Sequence, residues 1–236
     1  MLHVYGIIDG PSLGAGMARG HGGRAVSVLA AGDVAAVVSP AGPAKVEPTP
    51  DNVWHHERLL GTLMARHAVL PMRFATTCDG DALARQLQAR RQALRDGLRR
   101  VAGRVEIAVR ISAVPLRTTD IDAGSGTSGR AYLSARMAHR RRAADRAARL
   151  APAVRRLRDR IGRLSVDSVW QEVADAAPAT KGSCLVARHR VAGFVDAVDG
   201  LAAVCPDLAV TCTGPWAPYS FVGDLTAPEE GTDGRA

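Results

Sequence analysis

The sequence predicts an α+β protein built in two domains, and three observations carry that reading. Short runs rich in β-formers alternate irregularly with segments whose leucines recur every three or four residues. From Arg104 onward the element order reads β-α-β-β-α-β, the split βαβ or ferredoxin-like order. A chain of 236 residues with 47% apolar content is long enough to bury two small cores. The expected layout is a small mixed α+β domain over 1–103, a ferredoxin-like domain over 104–222 and a flexible polar tail over 223–236.

In the first domain "HVYGII" reads as a strand, followed by a glycine-rich segment over 10–23. In "AVSVLAAGDVAAVVS" a Gly-Asp pair separates two apolar runs, which predicts a hairpin. "PAGPAKVEPTPD" is a loop, with Asp51 as the expected N-cap of the next helix. That helix, "NVWHHERLLGTLMARHA", repeats its apolar residues at helical spacing. "VLPMRFATTC" is extended and largely buried, because Pro71 forces its predecessor out of the helical region. One helix is expected over 81–100, with Leu83, Leu87, Leu94 and Leu98 on one face.

In the second domain "RVEIAVRIS" puts Val105, Ile107, Val109 and Ile111 on one side of a strand. The Gly/Ser-rich stretch over 120–129 has no apolar period. A long helix over 130–162 follows, with an apolar stripe that includes Leu133, Met137, Leu150, Val154, Leu157 and Ile161; its other faces are full of arginine. Pro152 predicts a kink or break near Ala151. "LSVDSVWQEVADA" and "SCLVARH" read as strands, "RVAGFVDAVDGLAAVCP" as a helix and "LAVTCTG" as the last strand.

The formal net charge of +8 suits nucleic acid, an anionic surface or an acidic partner. Lysine occurs only as Lys45 and Lys181, and the arginines gather in helical runs such as "RMAHRRRAADRAARL", which reads as a solvated helix face. A nucleic-acid-binding protein using this Arg-rich helix is the alternative functional reading. Against it, "RVEIAVRI" and "SCLVARH" carry none of the aromatic residues that an RNA-binding sheet of this type needs. No apolar run approaches the ~18 residues that span a bilayer, and the N-terminus does not read as a signal peptide. Cys78, Cys184, Cys205 and Cys212 show no paired spacing and are expected as reduced, buried thiols. A soluble, cytoplasmic protein is the expectation.

The search for chemistry returns little. His55, His56, Glu57 and His67 are ligand types, but the spacing does not match the helical zinc motif; His56 and His67, eleven apart, cannot share one ion. "GAGMARGHGG" lacks the Lys-Ser/Thr of a phosphate loop and the dinucleotide fingerprint. No nucleophile motif occurs. The expectation is therefore no catalytic residue, no cofactor and no metal; an enzyme built on His55, His56 and Glu57 rests on residue types alone.

Two segments stand out. "VLPMRFATTC" places Arg73 and Phe74 in a buried-looking stretch, where an unpaired charge is costly and Arg73 needs an acidic partner. "GPWAPYSFV" concentrates Trp216, Tyr219 and Phe221 on a proline-stiffened backbone in a chain with only 4% aromatics. Such a segment closes a core or presents an anchor to a partner. Arg73, Phe74, Trp216, Tyr219 and Phe221 are the interface candidates.

With the "YGII" strand, "LPMRF" after a His/Glu-bearing helix, "GRAYLSARM" at the entry to a long basic helix and the terminal "GPWAPYSFV", the chain resembles the gas vesicle protein L/F family over 3–222. The resemblance implies two α+β domains, the second a modified ferredoxin-like fold. It also implies a non-catalytic accessory role in gas vesicle formation without cofactors. The implied partners are the hydrophobic shell protein and other accessory proteins, in the cytoplasm or on the vesicle. "GPWAPYSFV" then reads as a family signature that seals the second domain.

Overall fold

The structure is a computed structural model that describes residues 1–13, 19–42, 46–114, 129–172 and 179–223. The expectations for the Gly/Ser-rich stretch before Gly129 and for the tail after Gly223 lie outside the described residues. The architecture is mixed α+β with antiparallel pairing. The chain divides into two compact units, Met1–Glu106 joined by the C-terminal segment that starts at Pro215, and Ile107–Gly214.

In the first unit β1 (Leu2–Asp9), the hairpin β2 (Ser27–Ala31) and β3 (Val34–Pro40), β4 (Val69–Pro71) and the two-residue β5 (Thr77–Cys78) form one sheet. Its order is β2-β3-β1-β4, with β5 also paired to β1. The predicted Gly-Asp turn is where the hairpin closes: Gly32 adopts φ +69°, and Asp33 holds Arg91 and Arg95 at 2.7 and 2.8 Å. The register between β1 and β3 slips at Tyr5, a bulge between Val4↔Val38 and Gly6↔Val37. Without it, His3 and Tyr5 would face away from Gly6 and Ile8. The extra residue reverses the alternation, so His3, Tyr5 and Ile8 share the face that also carries Val37 and Ser39.

That face packs on α1 (Pro50–Met64). Tyr5, Ile8, Ala35 and Val37 meet Leu59, Leu60, Leu63, Val69 and Ala217 in one apolar cluster. Thr49, not Asp51, caps α1: its hydroxyl accepts from Asn52 N, Pro50 takes the first helical turn, and Asp51 stands in that turn beside the helix dipole. The helix expected over 81–100 is two helices, α2 (Gly80–Ala89) and α3 (Arg91–Val101), broken at Arg90 with φ −103° and ψ 9°. Asp79 caps α2 through Asp81 N and Ala82 N. Both helices pack on the same sheet, yet neither contributes to the α1 cluster, which places them on the opposite face with Val4, Ile7 and Val38.

In the second unit β6 (Arg104–Ala113), which runs on from the first, joins β7 (Asp167–Glu172), β8 (Thr180–Ala187) and β9 (Leu208–Trp216) in the order β7-β8-β6-β9. Trp170 lies across Gly182, its partner in the ladder, and a Cβ at Gly182 would overlap the indole. The helices are α4 (Gly129–Leu164) and α5 (Val191–Ala203), packed against each other and against β8. The break expected at Pro152 does not occur. α4 continues through it, because Pro152 is exposed and the packing of Leu157 and Ile161 anchors the turns beyond. All four cysteines are free; Cys184 is buried, whereas Cys78, Cys205 and Cys212 are half-buried rather than fully buried as expected.

Candidate functional site

The C-terminal aromatic segment belongs to the first unit, not to the second domain to which the sequence reading assigned it. Gly214 turns the chain at φ +126°, and the residues after it pack on α1 and the start of β6. The Tyr219 hydroxyl donates to Glu57 Oε1 at 2.7 Å. Ser220 donates twice to the Glu106 carboxylate, from its backbone N and its hydroxyl, both at 2.8 Å. Ala217 enters the apolar cluster, and buried Phe221 lies 5.8 Å from the Arg100 guanidinium. Burial pushes the Glu57 carboxyl above its usual range, the Tyr219 hydrogen bond opposes that shift and neighbouring Glu106 adds to it. Burial, then the facing Glu57, raises the Tyr219 phenol in turn.

The five candidate residues therefore separate. Tyr219 and Phe221 are held inside the unit. Trp216 is half-buried, its ring 6.0 Å from that of Trp54, which is 57% exposed. These two indoles form an apolar surface patch, and Trp54 is not among the candidates read from the sequence. Arg73 is exposed in the turn between β4 and β5, so solvent meets its charge and no internal acidic partner is required. Phe74 turns inward, its ring edge-on to His21 and His56.

Phe74 thereby borders a cluster of three buried histidines from three elements: His3 on β1, His21 on the 3-10 turn His21–Gly23 and His56 on α1. The bulge at Tyr5 keeps His3 on the α1 face. The glycine-rich loop delivers His21: Gly22 and Gly23 adopt φ +65° and +71°, and a Cβ at Gly20 would overlap the Tyr5 hydroxyl. That hydroxyl accepts from His21 N at 2.8 Å and shares a 2.9 Å hydrogen bond with Ser39. His56 Nε2 lies 3.1 Å from the Met72 carbonyl, which can only accept, so Nε2 carries the proton and Nδ1 the lone pair. Burial first, then repulsion from His21 and His56, lowers His3 to about 4; burial also lowers His56 to about 4 and draws His21 down, so the surroundings favour the neutral form of each ring. Among the described residues, these three are the one group whose ligand atoms converge, all within 4.8 Å of one another.

The sequence pattern described as "Gas vesicle synthesis protein GvpL/GvpF" matches residues 1–223. The chain belongs to the GvpL/GvpF family. It is 32% identical over 238 residues to gas vesicle protein L of Streptomyces sp. (strain CB03234), covering 87% of this chain and 86% of that protein. It is 31% identical over 236 residues to gas vesicle protein F of the same strain, covering 93% and 98%. Its fold is similar to the crystal structure of GvpF from Anabaena sp. PCC7120, with a TM-score of 0.72 at 18% identity over 94% of this chain and 97% of that one.

This GvpL/GvpF chain also exposes apolar surface on α4. The stripe read from the sequence is buried only toward the C-terminal end, at Leu157 and Ile161; Leu133 and Met137 are 58% and 71% exposed, among exposed Arg136, Arg140, Arg141 and Arg142. No described helix is long and apolar enough to cross a membrane.

Proposed function

We propose that this chain is a non-catalytic accessory protein of gas vesicle assembly that binds the hydrophobic shell subunit, alone or together with other accessory proteins, in the cytoplasm or on the growing vesicle. The observation that carries the reading is the family match over residues 1–223. The Trp54–Trp216 patch supports it, because paired indoles offer large, rigid apolar contact area at low entropic cost. The exposed Leu133 and Met137 on α4 add a second apolar surface, bordered by arginines that suit carboxylates on the same partner. The element order of the second unit and its strand order β7-β8-β6-β9 support reading it as a modified ferredoxin-like split βαβ domain.

The test is capture of co-expressed shell subunit by the tagged, full-length protein, with Trp54→Ala, Trp216→Ala and Arg73→Glu beside it, each checked for folding by circular dichroism. Capture that is lost in a folded tryptophan variant supports the reading and places the contact. Absence of capture by the native protein, with or without the other accessory proteins, contradicts it.

A further inference from the structure

The histidine cluster has three properties that a neutral packing core does not explain together. Its members come from elements far apart in sequence, all three are buried, and each has a ring nitrogen without a hydrogen-bond partner among the described residues: His3 Nε2, His21 Nε2 and His56 Nδ1. A buried polar atom left unsatisfied carries the cost of its lost hydration, and three in one place make an expensive arrangement for packing alone. Apolar side chains of similar size would fill the same space without that cost.

We propose that His3, His21 and His56 bind one divalent transition-metal ion of the zinc class, which fastens the glycine-rich loop to β1 and α1. The ligand chemistry selects the ion. An all-imidazole set without carboxylate or thiolate suits Zn²⁺, Co²⁺, Ni²⁺ or Cu²⁺ and disfavours Ca²⁺ and Mg²⁺. At a Zn–N bond of ~2.0–2.1 Å a tetrahedral ion holds its ligand nitrogens roughly 3.3–3.4 Å apart. The observed limit of 4.8 Å therefore closes by about 1.4 Å or less, a shift within reach of small side-chain rotations.

His56 is already oriented as metal-bound histidines are. Its Nε2–H is held by the Met72 carbonyl, which leaves Nδ1, the partnerless atom, as the donor. A cavity of about 670 Å³ lined by His3, His21, Arg24, Ser39 and Asn52 adjoins the cluster. It provides an entry path and room for a solvent molecule as fourth ligand. The site rests on geometry within the first unit and is independent of the proposed function.

The test uses the full-length protein with a tag that contains no histidine, stripped with chelator and reloaded. The expected results are one equivalent of zinc by elemental analysis and a cobalt(II) form with the visible absorption of a four-coordinate site of three nitrogens and one oxygen. X-ray absorption of the zinc form, which needs no variant, is expected to show imidazole scattering from three ligands. His21→Ala is the decisive variant because it lies in the loop. Loss of a hydrogen bond to a metal ligand costs roughly 10–100-fold in affinity, so loss of the ligand itself is expected to cost more, while His67→Ala leaves binding unchanged. Folded native protein that takes up no stoichiometric zinc or cobalt would overturn the proposal. So would an oxygen-dominated shell, or binding that survives unchanged in folded His21→Ala.

Discussion

Tyr219 and Glu57 are separated by 162 positions in sequence and joined by a 2.7 Å hydrogen bond from the phenol to the carboxylate. Beside it, Ser220 is bonded twice to Glu106, so the end of the described chain is tied to α1 and to β6. The aromatic segment closes the first unit with its tyrosine and phenylalanine and leaves its tryptophan at the surface next to Trp54.

Tyr219→Phe removes the donor and leaves Glu57 half-buried without it. Hydrogen bonds to charged groups contribute roughly 1.5–3 kcal/mol, so a loss of about 2 kcal/mol is expected by chemical denaturation. A double-mutant cycle with Glu57→Gln is expected to show only the charge-assisted part of this bond as coupling, because the amide oxygen still accepts from the phenol.

Glu57 also makes stability depend on pH. Its folded-state pKa is raised, chiefly by burial, with Glu106 adding to the shift and the Tyr219 hydroxyl opposing it. Between the unfolded and folded pKa values the folded state binds more protons. This contribution is therefore fully present below the ordinary value of 4.5 and is lost as pH rises through the raised one. Glu57→Gln is expected to be at least as stable as the native protein at neutral pH, and its melting temperature is expected to lack that decline. An unchanged pH profile would contradict the assignment.

Gly20→Ala places a Cβ against the Tyr5 hydroxyl and Ser39. Overpacking of this kind costs typically ~1–3 kcal/mol. A fall of that size in unfolding free energy is expected, together with loosening of the His21 loop, read as faster amide exchange at His21, whose N–H the Tyr5 hydroxyl accepts. Gly182→Ala is expected to destabilise the second unit in the same way by displacing Trp170.

Leu133→Ser with Met137→Ser changes side chains that are mostly in solvent. Stability is expected to stay within ~0.5 kcal/mol of native, so any loss of shell-subunit capture in this variant reports contact rather than misfolding.

Helical spacing and alternation were enough to read α1, β6 and α5, because each buries one periodic face, whereas β1 and β3, buried on both faces, were legible from their runs of β-formers and the Gly-Asp turn. The break at Arg90 escaped because no glycine or proline marks it and Leu83, Leu87, Leu94 and Leu98 keep a helical period across it. Thr49 was readable as the cap, since Pro50 favours the first helical position; the acidic Asp51 drew attention away from it. Arg73 misled because a buried-looking flank says nothing about a turn within it. The histidine cluster was hidden for a different reason. Spacing rules compare neighbours on one element, whereas His3, His21 and His56 meet only after a one-residue bulge, a glycine loop and a helix face have been placed. The glycines of "GHGG" were the one local sign, and they read equally as a plain connection.

The most direct test of the central claim is vesicle formation in a gas-vesicle-producing host from which this gene and any related copy have been removed. The account predicts that gas vesicles are absent by electron microscopy and return with the native gene, but not with a folded Trp54→Ala/Trp216→Ala variant. Normal vesicles in the deleted host would contradict it.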